Sequence, residues 1–177
     1  MRKLKNEELN RLSVEEFKLV KKIPVTVVLD NIRSMNNIGS VFRTADAFRI
    51  EKIYLCGITA KPPHPEIHKT ALGATESVNW EYVESTVSAV KHLKGKGYSL
   101  IAIEQTEESV MPGDSIFSKT EKVAVVFGHE VRGVGQEVVN TCDYVMEIPQ
   151  FGTKHSLNIS VCAGIVLWEL SKQFFEK

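Results

Sequence analysis

Continuous apolar runs alternate with stretches of helical spacing along most of the chain. Val25-Thr26-Val27-Val28-Leu29-Asp30 shows no apolar–polar alternation, the pattern of a central parallel strand covered on both faces. Further strands are predicted at Lys52–Cys56, Val78–Val83, Tyr98–Ile103, Lys122–Phe127 and Tyr144–Ile148. Pro149 ends the last of these, because proline supplies no ladder N–H. Ile38–Phe48 sets Val41, Phe42, Ala45 and Phe48 on one side of a helix. A short helix over Glu66–Leu72, a helix over Ser85–Lys94 stopped at Gly95 and Gly97, and a closing helix over Asn158–Phe175 complete the set. Strands alternating with helices predict an α/β fold built on a parallel sheet.

The first segment reads differently. Met1–Lys22 is charged and helical. Ser13-Val14-Glu15-Glu16 fits a capping box, and Lys18, Lys21 and Lys22 close the helix where its dipole favours cations. Residues 1–22 are therefore read as a helical appendage and 23–177 as one domain, with no internal repeat or low-complexity tract.

Composition adds limits. The 177 residues, 43% hydrophobic and 25% charged, suffice for one domain with a core. No apolar run approaches the roughly 18 residues of a membrane span, and no apolar stretch follows Arg2-Lys3-Leu4-Lys5, so a cytoplasmic protein is expected. Cys56, Cys142 and Cys162 are far apart, each in an apolar run that suits a reduced thiol. His64 and His68 have a metal-compatible spacing, but three prolines crowd them and no third ligand is placed, so no metal is expected. Formal net charge is zero, which argues against coating nucleic acid by bulk attraction. Met1–Leu72 nevertheless carries 13 Lys and Arg against 8 Asp and Glu, enough for a phosphate footprint.

Candidate chemistry lies where strands end, because open α/β sheets bind ligands at their carboxyl edge. Three strand-end loops have unusual compositions: Asn31–Arg43, Gly128–Gly135 and Pro149–Ser160. In the last, Ser156 is a good N-cap for the closing helix, and Asn158 falls in its first turn, where an amide is costly unless it has a purpose. The glycine fingerprint of dinucleotide enzymes, the phosphate-binding P-loop and the Gly-x-Ser-x-Gly elbow of hydrolases do not occur.

Asn37-x-Gly39-x3-Arg43-Thr44-Ala45, Phe127-Gly128-x-Glu130-x2-Gly133 and Ile148-Pro149-x2-Gly152-x3-Ser156-Leu157-Asn158-x-Ser160 resemble the three signature motifs of the SpoU (TrmH-type) RNA ribose 2′-O-methyltransferases of the SPOUT superfamily. The resemblance runs from about Pro24 to the C-terminus and leaves out residues 1–22. It implies a parallel sheet with a C-terminal deep trefoil knot, with Gln150–His155 in the knotted crossing. It further implies a homodimer with the active site near its interface, S-adenosyl-L-methionine (AdoMet) as methyl donor, and structured tRNA or rRNA as substrate.

By motif position, Gln105, Phe127, Gly128, Ile148 and Leu157 would bind AdoMet, Gly128 because a Cβ would collide with the cofactor. Arg43 would anchor the phosphate and stabilise the developing alkoxide, since a guanidinium stays charged and is a poor base. Asn37 would hold Arg43 or the ribose, Glu130 would orient Arg43 or Asn37, and Ser156 and Asn158 would bond the substrate or hold the site's shape. Taken alone, Arg43 reads as a helix-surface partner of Asp46 or Glu130. Arg33 and the basic N-terminal arm are expected to help grip RNA. The rival readings are a base-methylating SPOUT enzyme, a non-catalytic AdoMet- or RNA-binding assembly factor, and a nucleotide-binding oxidoreductase.

Overall fold

The computed structural model describes residues 1–114 and 122–174. Six strands form one sheet: β1 (Ile23–Asp30), β2 (Ile50–Cys56), β3 (Trp80–Val83), β4 (Ser99–Ile103), β5 (Val123–Phe127) and β6 (Tyr144–Met146). Their spatial order is β3-β2-β1-β5-β4-β6, and every pairing is parallel. The continuous apolar runs have the expected cause. Val25, Val27 and Leu29 face one buried cluster, and Val28 faces the other.

Helices cover both faces. One carries α1 (Val14–Leu19), α2 (Met35–Ala47), α3 (Pro65–Ala71), α4 (Ala74–Ser77) and α7 (Ile159–Ser171). The other carries α5 (Thr86–Gly95) and α6 (Gln136–Val139). The four-residue α4 and α6 escaped prediction because a single turn leaves no periodicity to read. The predicted strand to Ile148 stops at Met146, and the helix predicted from Ile38 starts at Met35. Ser34 caps α2, its hydroxyl accepting from the Asn37 amide at 3.3 Å. The closing helix runs only to Ser171, followed by a 3-10 turn over Lys172–Phe174; Phe175 lies outside the described residues.

Gly39 has a packing reason. A Cβ there would fall on the Ile67 carbonyl and the Thr70 hydroxyl of α3, so the close α2–α3 crossing requires glycine. Thr70 also donates to the Asn36 carbonyl at 3.0 Å, fixing α3 to the first turn of α2.

The N-terminal segment forms a 3-10 turn (Asn6–Leu9) and α1, whose capping box of Ser13 and Glu16 forms as predicted. Phe17 is buried in the same cluster as α2 and α7. The Lys22 ammonium turns back to donate to the Phe17 and Val20 carbonyls and lies over the Phe17 ring. It is thereby committed to closing α1.

Candidate active site

Three carboxyl-edge loops meet in one place. Glu130, in the loop after β5, accepts from the Arg33 and Ser34 amides at 3.0 and 2.9 Å, and from the Asn37 side-chain amide at 3.2 Å. The Asn37 oxygen accepts from the Asn158 side-chain amide at 3.2 Å. The Asn158 oxygen accepts from the amide and hydroxyl of Ser160 at 2.9 and 2.7 Å. A continuous hydrogen-bond chain, Glu130–Asn37–Asn158–Ser160, thus joins the motifs after β1, β5 and β6.

Burial by itself would push the Glu130 carboxyl up. The amides of Arg33 and Ser34 and the Asn37 side chain outweigh it and hold the carboxyl below its ordinary range. Glu130 is therefore a carboxylate that ties two loops together. Among the described residues, the side chain that donates to it is Asn37, not Arg43.

Beside this chain lies a cavity of about 680 Å³, a volume in the range of small-molecule and cofactor sites. Gln105, Phe127, Gly128, Ile148 and Leu157 all line it, as do Glu130, Ser156 and Asn158. Asn37 does not reach it and stands behind Glu130 and Asn158, buried to 9% exposure. Gln105 donates to the His155 carbonyl at 3.3 Å, which links the loop after β4 to the loop after β6 across the cavity.

Two expectations change. Asn158, not Ser156, is the N-cap of α7, which resolves the cost of an amide so early in a helix: its side chain accepts from the Ser160 amide. Gly128 lines the cavity, but its missing Cβ points at protein backbone. A Cβ there would fall on the backbone of Gly133 and Val134, so glycine lets the loop after β5 close on itself.

Arg43 is exposed on α2, does not line the cavity, and has no hydrogen-bond or ion-pair partner among the described residues. Neither Asp46 nor Glu130 pairs with it; Asp46 accepts from the Ser77 hydroxyl instead.

Sequence reasoning passed over Glu104. Glu104 ends β4's apolar run and lines the cavity; a carboxylate directly after Leu100-Ile101-Ala102-Ile103 was the available signal. The His129 ring nitrogen Nδ1 accepts from the Val131 amide at 3.0 Å and holds the turn that follows. His64 caps α3 through the Glu66 amide, and no metal-binding group of His, Cys, Asp or Glu occurs among the described residues. The three cysteines are free; burial pushes the thiols of Cys56 and Cys142 up to about 12 and that of Cys162 to about 11. No helix among the described residues is long and apolar enough to cross a membrane.

Comparison with known proteins follows the same lines. Residues 24–168 match the model of the SpoU rRNA Methylase family. An uncharacterized tRNA/rRNA methyltransferase of Archaeoglobus fulgidus is 33% identical over 171 residues, 94% of this chain and 75% of that protein. The tRNA (guanosine(18)-2′-O)-methyltransferase of Aquifex aeolicus is 32% identical over 155 residues, 85% of this chain and 70% of that protein. Among solved structures, the A. aeolicus TrmH/SpoU tRNA modifying enzyme superposes with a TM-score of 0.80 at 27% identity, covering 90% of this chain and 80% of that one. An AdoMet-bound rRNA methyltransferase from Sinorhizobium meliloti superposes with a TM-score of 0.80 at 26% identity, covering 88% of this chain but 59% of that one. A family model spanning most of the chain, and relatives above 30% identity over nearly all of it, show that this protein belongs to the SpoU methylase family.

Proposed function

We propose that the protein transfers a methyl group from AdoMet to a ribose 2′-hydroxyl of a structured tRNA or rRNA. The observation that carries this reading is the hydrogen-bond chain Glu130–Asn37–Asn158, which ties the first family motif to the two motifs that line one cavity. AdoMet supplies an electrophilic methyl group when bound. The cavity fits it: apolar walls from Phe127, Ile148 and Leu157 suit the adenosine, and backbone groups of the Gly128–Val134 loop suit a base edge.

The chain's own residues have three tasks. The loops after β4, β5 and β6 exclude water and hold the donor in line with the acceptor oxygen. Arg43, with an unengaged guanidinium, forks onto the substrate phosphate and stabilises the alkoxide as the 2′-oxygen loses its proton to phosphate or water. Asn37 and Asn158 keep the motif loops in register, and Ser156 on the cavity wall bonds the substrate. Arg132 and Lys154, exposed in the loops around the cavity, and Phe151, 97% exposed, offer phosphate contacts and a stacking face for RNA.

A homodimer completes the reading. Val161 and Ile165 of α7 are 52% and 39% exposed on a helix that is apolar nearly all round, a surface that a second copy would bury. Arg43 does not line its own cavity, so in such a dimer it serves the cavity of the other copy. We further read residues 1–22 as an appendage on a catalytic domain of 23–177, and the protein as cytoplasmic. The crossing at Gln150–His155 is read as a trefoil knot. In support, the chain leaves β6 at one edge of the sheet and returns to pack α7 against α2 beyond β4 and β5.

Incubation with methyl-labelled AdoMet and total RNA, followed by nucleoside mass spectrometry, tests the chemistry. A labelled ribose-methylated nucleoside is expected. Label on a base, with none on ribose, would instead make this a base methylase.

A further inference from the structure

Two consecutive amides in the loop after β5 are each held by a carboxylate from a different strand. Glu104, just past the end of β4, accepts from the Val134 amide through Oε2 at 2.9 Å. Asp30, the last residue of β1, accepts from the Gly135 amide through Oδ2 at 3.0 Å. β1 and β4 flank β5 on either side, so the loop is tied down left and right of the strand that emits it. Its turn is closed by reciprocal backbone bonds between His129 and Gly133 at 3.0 and 2.8 Å. Gly133 has φ +68°, and a Cβ there would fall on the Glu104 carboxylate. The loop therefore rests directly on Glu104.

The two carboxylates are not equivalent. Asp30 is 3% exposed and also engages the Thr86 hydroxyl and the Asn31 side chain, so it belongs to the core. Glu104 lines the cavity together with Gly128, Gly133 and Val134. Among the described residues, its other oxygen accepts only from the neighbouring Gln105 amide at 3.0 Å. A loop fixed before the ligand arrives loses less entropy when it binds.

We propose that Glu104 is a positioning residue for the methyl donor, acting as a latch on the Gly133–Val134 backbone that pre-forms one wall of the AdoMet cavity. This rests on the AdoMet reading above. The geometry makes reach, not charge, the decisive property. Glu104→Gln keeps an oxygen able to accept from Val134. Glu104→Asp keeps the charge but falls one methylene short. Glu104→Ala loses both.

AdoMet titration calorimetry and amide hydrogen exchange on the ligand-free protein test the latch. Glu104→Ala and Glu104→Asp are each expected to weaken AdoMet by about tenfold, and Glu104→Gln by less than about threefold, the worth of one hydrogen bond to a backbone amide. The KM for RNA should stay unchanged. Exchange at the Val134 amide should accelerate in the Ala and Asp variants, while the Gly135 amide stays protected by Asp30. If Glu104→Asp binds AdoMet like wild type while Glu104→Gln fails, the charge acts on the ligand directly and the latch is wrong. Unchanged protection at Val134 in Glu104→Asp also overturns it, even if Glu104→Ala does not fold. Failure of the wild type to bind AdoMet would sink the cofactor reading instead, leaving the exchange result to decide on the latch.

Discussion

Asn37 stands between Glu130 and Asn158, donating to one and accepting from the other. An asparagine is suited to that place because its amide carries both kinds of group. Removing Glu130 would strand the Arg33 and Ser34 amides, so Glu130→Ala should destabilise the protein by about 1–3 kcal/mol, read as a shift in the urea midpoint. A midpoint unchanged from wild type would remove Glu130 from its structural role. Arg43 differs, because it supports nothing in the fold. Arg43→Ala should leave the melting temperature and AdoMet affinity unchanged and lower methyl transfer by about a hundredfold or more. Full activity in that variant would contradict the role given to the guanidinium. The motif residue types were legible in the sequence, but their partners were not. The Asn37–Asn158 bond spans 121 positions and the Glu130–Asn37 bond 93, separations over which no local spacing rule applies. The same limit put the N-cap at Ser156 when Asn158 fills it.

Among the elements, α7 carries the strongest demand for a partner. Its mean hydropathy suits a helix covered on all sides, yet Val161 and Ile165 stay exposed. Ile165→Asp would place a charge on the exposed side without touching the cavity. On the proposed dimer, sedimentation velocity should show a dimer for the wild type and a monomer for the variant, with loss of methyl transfer. A wild type that sediments as a monomer would contradict the dimer. The strands were readable because buried parallel strands are apolar on both faces, and β1 and β5 show this most plainly. Their spatial order was not readable, since the strand sequences contain nothing that puts β6 beside β4 and β1 beside β5. The one-turn helices α4 and α6 were invisible for want of length.

Across the whole molecule, carboxylates tie the loops at the carboxyl edge to one another. Glu130 has its carboxyl held low in the folded state. A depressed folded value contributes stability that is present in full above the ordinary glutamate range, near about 4.3. That contribution is lost as pH falls through the lower folded value. The stability gap between wild type and Glu130→Gln should therefore be steady from neutral pH to about pH 5 and shrink below about pH 4. A gap independent of pH down to acid unfolding would show that the charge contributes nothing.

The most direct measurement is an AdoMet titration followed by backbone-amide NMR. The loops after β4, β5 and β6 should respond together, with shifts at Gln105, at Gly128 to Val134, and at Ile148 and Leu157. A titration that leaves these amides unmoved, or moves only those around the smaller cavity between Pro62 and Trp80, would contradict the account.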